Sequence, residues 1–106
     1  MRSLVVYNND VRAGILTELS AGRSYSFSYD PAYLSADLPP ISVNFPKREE
    51  TYQSEGLFPF FANMLPEGAN RRIICRSLKI DESDDFSLLC AMAGCDFIGA
   101  VSVDID

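Results

Sequence analysis

A chain of 106 residues with 47% apolar side chains can bury one modest core, so a single domain covering 1–106 is expected. Its formal charge of −6 opposes a phosphate backbone, which argues against direct nucleic-acid binding through clustered lysine and arginine. It has no histidine, the commonest general base near neutral pH, so any catalysis would rest on carboxylates, cysteines, tyrosines or lysines.

The apolar runs at 57–62 and 88–93 are far shorter than the ~20 residues that span a bilayer, and residues 1–6 lack the apolar stretch of a secretory signal. A cytoplasmic protein is expected. Cys75, Cys90 and Cys95 are odd in number and come without a CxxC pair or a histidine to complete a zinc site. They read as reduced, structural thiols, in keeping with a reducing compartment. No metal or cofactor is expected.

In chain order, 4–7 and 13–19 predict a β-hairpin around the turn-forming Asn8, Asn9 and Asp10, with Gly14 at a bulge or a close backbone approach. Residues 24–29 predict a third strand, because Tyr25, Phe27 and Tyr29 alternate with Ser24, Ser26 and Ser28 and so share one face. Asp30 to Pro40 reads as a turn, 41–45 as a fourth strand stopped by Pro46, and 47–56 as a polar surface loop. From Pro59 the apolar spacing becomes helical through Phe60, Phe61, Met64 and Leu65.

Pro66 predicts a break at Leu65, with a second helix starting at 66–67 and burying Ile73, Ile74 and Leu78. Ser83 or Asp84 is placed to cap a third helix with Asp85 in its first turn, Phe86, Leu89, Cys90 and Met92 on its core face, and Gly94 just beyond its end. A last strand at 99–103 completes an α+β fold: a mainly antiparallel sheet of about five strands with about three helices packed on it.

The chain has no phosphate-cradling glycine loop, nucleophile elbow or kinase H-R-D or D-F-G motif. Asp81, Glu82, Asp84 and Asp85 do not match a calcium-loop spacing and read as capping and solvated charge. Glu49, Glu50 and Glu55 read as loop carboxylates with no pocket to separate their pKa values, and Cys75 has no base beside it. Arg71 and Arg72 read as a solvated helix face. The segment 58–71 combines an aromatic helix, a proline break and a glycine-containing helix start whose free N–H groups can take an anion or a carboxylate.

That segment resembles the PFF-x-N-L-L-P-E-G-x-x-R signature of the N-terminal subdomain of HipA-type serine/threonine kinases. The likeness continues around it. Residues 11–19 with Gly14 resemble the family's opening hairpin, and Phe27, Tyr29 and Leu34 its F-x-Y strand. Pro40, Ile41, Ser42 and Val43 resemble its P-I-S-L segment, and Asp85, Phe86, Leu88, Leu89, Gly94, Asp96, Gly99 and Ala100 its ending.

The resemblance implies a stand-alone, HipS-like version of a subdomain that precedes a kinase body in longer relatives. It implies a non-catalytic antitoxin that binds and neutralises a separately encoded HipA-like kinase of HipT type, with a HipB-like helix-turn-helix protein as a possible third partner. The implied contacts are Asn63, Leu65, Pro66, Glu67, Gly68, Asn70 and Arg71, with Arg71 facing a carboxylate or phosphate. The inhibitor is the leading implication; the alternatives are an activating or scaffolding subunit, because docking can stabilise or disrupt a lobe and fold alone does not fix the sign, and the N-terminal piece of a full-length kinase.

Overall fold

A computed structural model describes residues 2–93 and 101–105. Strands β1 (Arg2–Asn8) and β2 (Val11–Ser20) form an antiparallel hairpin. Asn9 and Asp10 connect them with φ of 50° and 65°, the paired positive values of a type I′ turn that these two residue types tolerate. The register shifts between Val6 and Tyr7, whose partners are Gly14 and Arg12, so Ala13 is the extra residue of a bulge. Its carbonyl accepts from Asp30 N–H at 2.8 Å.

β3 (Ser24–Tyr29) pairs antiparallel with β2 and turns Tyr25, Phe27 and Tyr29 into the core, as the alternation predicted. Gly14 lies against it so closely that a Cβ there would stand 2.1 Å from the Ser28 carbonyl oxygen. A bulge beside it and a close approach at it both account for this glycine.

Three parts of the sequence reading are corrected between Asp30 and Ser54. The turn after Asp30 contains a short helix, α1 (Pro31–Ser35), begun by Pro31, whose missing N–H costs nothing at the first helical position. It buries Tyr33, which stacks on Tyr29 with centroids 5.8 Å apart.

Residues 41–45 are not a strand. Ile41 and Phe45 are buried while Val43 is 91% exposed, and Phe45 N–H donates to the Ser42 carbonyl in a turn. With Pro39, Pro40 and Pro46 unable to donate, one side chain replaces the ladder: the Tyr29 hydroxyl accepts from Ile41 N–H and donates to the Phe45 carbonyl.

The fourth strand lies instead in the stretch read as a polar loop: β4 (Tyr52–Ser54), a three-residue edge pairing antiparallel with β3. Phe45 is the hub of an aromatic cluster, its ring 5.0 to 5.9 Å from Phe27, Tyr52, Phe58, Phe60 and Phe61.

Helices α2 (Pro59–Ala62), α3 (Gly68–Leu78) and α4 (Asp85–Ala91) follow, and β5 (Val101–Ile105) returns antiparallel to β1. The strand order is β4-β3-β2-β1-β5, an α+β fold with four helices among the described residues. Asp84 caps α4 by accepting from Ser87 N–H, and the helix buries Phe86, Leu88 and Leu89 completely.

On α3 the buried residue is Cys75. Ile74 is half-buried, but Ile73 and Leu78, expected in the core, are 63% and 52% exposed. Cys75 and Cys90 are both free thiols. The expected cap at Gly94, the start of the last strand at 99–100, and Cys95 lie outside the described residues.

Candidate partner-binding site

The turn between α2 and α3 is built by its own backbone. Asn63 N–H donates to the Pro59 carbonyl, Met64 N–H to Phe61 and Leu65 N–H to Ala62, which closes α2 with a tightened last turn. Pro66 then bars a helical Leu65 from continuing, and the chain re-enters a helix through Glu67, extended, and Gly68, at φ +60°. A Cβ on Gly68 would meet nothing within 4 Å, so its glycine is needed for the dihedral and not for space.

The seven candidate residues divide by burial. Leu65 is 5% exposed and belongs to the core, packed with the aromatic cluster. Arg71 is half-buried and faces inward: Nε and Nη2 donate to the Glu82 carbonyl at 3.0 and 2.5 Å, and Nη2 pairs with Asp85. Its guanidinium thus ties the first half of α3 to the loop and first turn of α4. Pro66 is half-buried, and Asn63, Glu67, Gly68 and Asn70 are exposed. The turn therefore presents amide, carboxylate and backbone groups over a rigid aromatic base.

A second polar centre went unseen in the sequence. Glu18 is 3% exposed on β2 and accepts four hydrogen bonds: from Arg2 Nε and Nη2 at 3.0 and 2.6 Å, from Gly22 N–H at 3.2 Å and from the Tyr25 hydroxyl at 3.0 Å. Burial pushes its carboxyl up, but the Arg2, Gly22 and Tyr25 bonds outweigh this and hold it below the ordinary range. Burial and the Glu18 charge push Tyr25 up to about 12.

Arg2 also donates to Ser87 Oγ at 2.8 Å and lies 5.1 Å over the Phe86 ring, which joins β1, β2, β3 and α4. No local pattern announces this centre, because apart from Gly22, four residues from Glu18, its side-chain contacts join residues 7 to 85 apart.

The other features offer little chemistry. A depression of about 410 Å³ is lined by Tyr29, Pro31, Leu34, Ser35 and Glu49, and another of about 280 Å³ lies beside β4. No metal-ligating cluster occurs among the described residues, and no helix among them is long and apolar enough to cross a membrane. Cys90 has its thiol pushed up by burial, the reverse of what a nucleophile needs.

The model of one protein family, the HipA N-terminal domain, matches residues 4–104. An uncharacterized protein of Haemophilus influenzae (strain Rd) is 37% identical over 81 residues, which cover 76% of this chain and 73% of that protein. A putative kinase, Y4mE, of Sinorhizobium fredii (strain NGR234) is 33% identical over 78 residues, 73% of this chain but 18% of that kinase. Among solved structures, the N-terminal domain of HipA toxin superposes with a TM-score of 0.73 and 29% identity, covering all of this chain and 93% of that one.

Proposed function

This chain belongs to the HipA N-terminal domain family, and from that premise we propose that it is a non-catalytic binding module, an antitoxin that docks on a HipA-like serine/threonine kinase and neutralises it. The observation that carries this reading is the superposition of the whole chain on 93% of the HipA toxin's N-terminal domain. A sequence without phosphate-binding or kinase motifs agrees with a binding role. In this reading the exposed turn residues Asn63, Glu67, Gly68 and Asn70 approach the kinase, while Leu65 and Arg71 hold the turn in shape from behind.

A second reading has one observation in its favour. The matching stretch is 18% of the S. fredii kinase, so there the fold shares a chain with a much larger body. A domain of this kind can also serve as a scaffolding or activating part of the kinase.

Co-expression with a tagged HipA-like kinase of the same genome separates the readings. Co-purification with loss of phosphorylation and of toxicity is expected, and Asn70→Trp, which adds bulk to an exposed position of α3, should weaken it. Raised kinase activity would favour the scaffold, and no binding at micromolar concentration would overturn both. Retention of a helix-turn-helix protein on the same tag would identify the third partner.

A further inference from the structure

Helix α3 carries apolar side chains on two faces. Cys75 and Ile74 turn toward the core, with Arg71 beside them. With about 3.6 residues per turn, Ala69, Arg72, Ile73 and Arg76 fall on the opposite side at i, i+3, i+4 and i+7. All four are exposed, and Ile73 is 63% accessible.

A lone exposed isoleucine is ordinary. This one is framed by two arginines, in a stretch from Arg71 to Lys79 that holds four of the chain's nine basic residues and no acidic one. Arg71 is taken by Asp85 and Glu82. Arg72, Arg76 and Lys79 form no ion pair among the described residues, although the chain is acidic and Asp81, Glu82, Asp84 and Asp85 follow directly. Positive charge is gathered on one helix face around a branched aliphatic anchor and left without a carboxylate partner.

We infer that the outward face of α3 (Ala69, Arg72, Ile73 and Arg76) is the principal anchor for the kinase body, seated in a carboxylate-rimmed groove with an aliphatic pocket for Ile73. The inference rests on the kinase-binding reading above. Charge complementarity selects the occupant: guanidinium groups make directional pairs with carboxylates, and an amphipathic helix laid in a groove is read through i, i+3, i+4 and i+7 anchors. The chain's acidity disfavours the other acidic partner, a nucleic acid. In the putative kinase of S. fredii the matching stretch is 18% of the chain, so there a much larger body is joined to it.

The test uses the intact chain and a tagged HipA-like kinase of the same genome, with Kd measured across a salt series. The double variant Arg72→Glu/Arg76→Glu and the single variant Ile73→Glu should each weaken binding at least tenfold, with unchanged circular dichroism and Tm because these side chains are exposed. Arg72→Lys/Arg76→Lys should keep the salt dependence that the glutamate pair abolishes.

If the unaltered chain binds and the glutamate variants bind equally well, the α3 face is overturned while the kinase-binding reading stands. If the unaltered chain does not bind the kinase, that reading falls and the inference falls with it. Salt-sensitive binding to a short DNA duplex that the double variant loses would assign the face to nucleic acid and overturn the proposed groove.

Discussion

Replacing Glu18 by glutamine keeps the shape of the side chain and removes its charge. Glu18 uses Oε1 for both Arg2 nitrogens and Oε2 for Gly22 N–H and the Tyr25 hydroxyl. An amide can serve one side only and must set its NH₂ group against donors on the other. Hydrogen bonds to a buried charge contribute about 1.5–3 kcal/mol. Arg2 is 42% exposed, which discounts its share for solvent screening.

The expected loss is about 2 kcal/mol, a large fraction of the roughly 5–15 kcal/mol by which a domain is stable. It shifts a urea midpoint by roughly 1–2 M. Because the Glu18 carboxyl is held below its ordinary value, its contribution is complete above the unfolded pKa and is lost as pH falls through the folded one. The gap between Glu18→Gln and the unaltered chain should therefore be full at neutral pH and close in acid, where the carboxyl is itself neutral. A gap that stays constant down to strong acid would refute the charge as its source. Tyr25 mirrors this in alkali: its raised pKa means stability is full below its ordinary value of 10.0 and lost as pH climbs through about 12.

Gly14→Ala puts a methyl group 2.1 Å from the Ser28 carbonyl oxygen, a backbone atom that cannot yield without disturbing the β2/β3 pairing, and should cost about 3 kcal/mol, read as roughly 12 °C off Tm. Phe45→Ala should cost about 3–5 kcal/mol by emptying the aromatic hub, whereas Val43→Ser, at a 91% exposed position, should leave Tm unchanged; comparable losses at both would restore a strand at 41–45. Lys79 ends α3 at φ 58°, where Ile80 N–H reaches back to the Cys75 carbonyl, so Lys79→Gly should relieve left-handed strain and raise stability by about 0.5–1 kcal/mol in thermal unfolding.

Where one residue type and one spacing carry the information, the fold was legible. Asn9 and Asp10 marked the hairpin, the serine and aromatic alternation marked β3, and Pro59, Pro66 and Asp84 marked helix boundaries. The reading failed where tertiary partners decide. Ile41, Val43 and Phe45 alternate like a strand, yet the prolines around them and the Tyr29 hydroxyl take over the backbone hydrogen bonds. Tyr52–Ser54 looks like a loop and is a strand because β3 offers it an edge.

The candidate turn was visible as a motif, but not the difference between Leu65 and Arg71, which face inward, and Asn63, Glu67 and Asn70, which do not. The exposure of Ile73 follows from the helical period: Ile74 and Leu78 share a face at i and i+4, whereas Ile73 lies about 100° around the helix from Ile74, so apolar character alone had placed it in the core.

The division of labour along 58–78 limits how this domain can meet a partner. The aromatic rings and Leu65 are already packed, Arg71 is already paired, and among the described residues no buried side-chain nitrogen or oxygen lacks a hydrogen-bond partner. Docking therefore has little folding to drive, and it begins from a surface whose shape is set in advance, so ordering costs subtract little from the contact energy. What remains uncompensated on α3 is charge and two exposed aliphatic side chains, Ile73 on the arginine face and Leu78 at the helix end, with polar atoms at the turn beside them. An interface built from those parts gains on-rate and selectivity from the arginines and residence time from Ile73, so Arg72 and Arg76 substitutions should act mainly on association and Ile73 substitutions on dissociation.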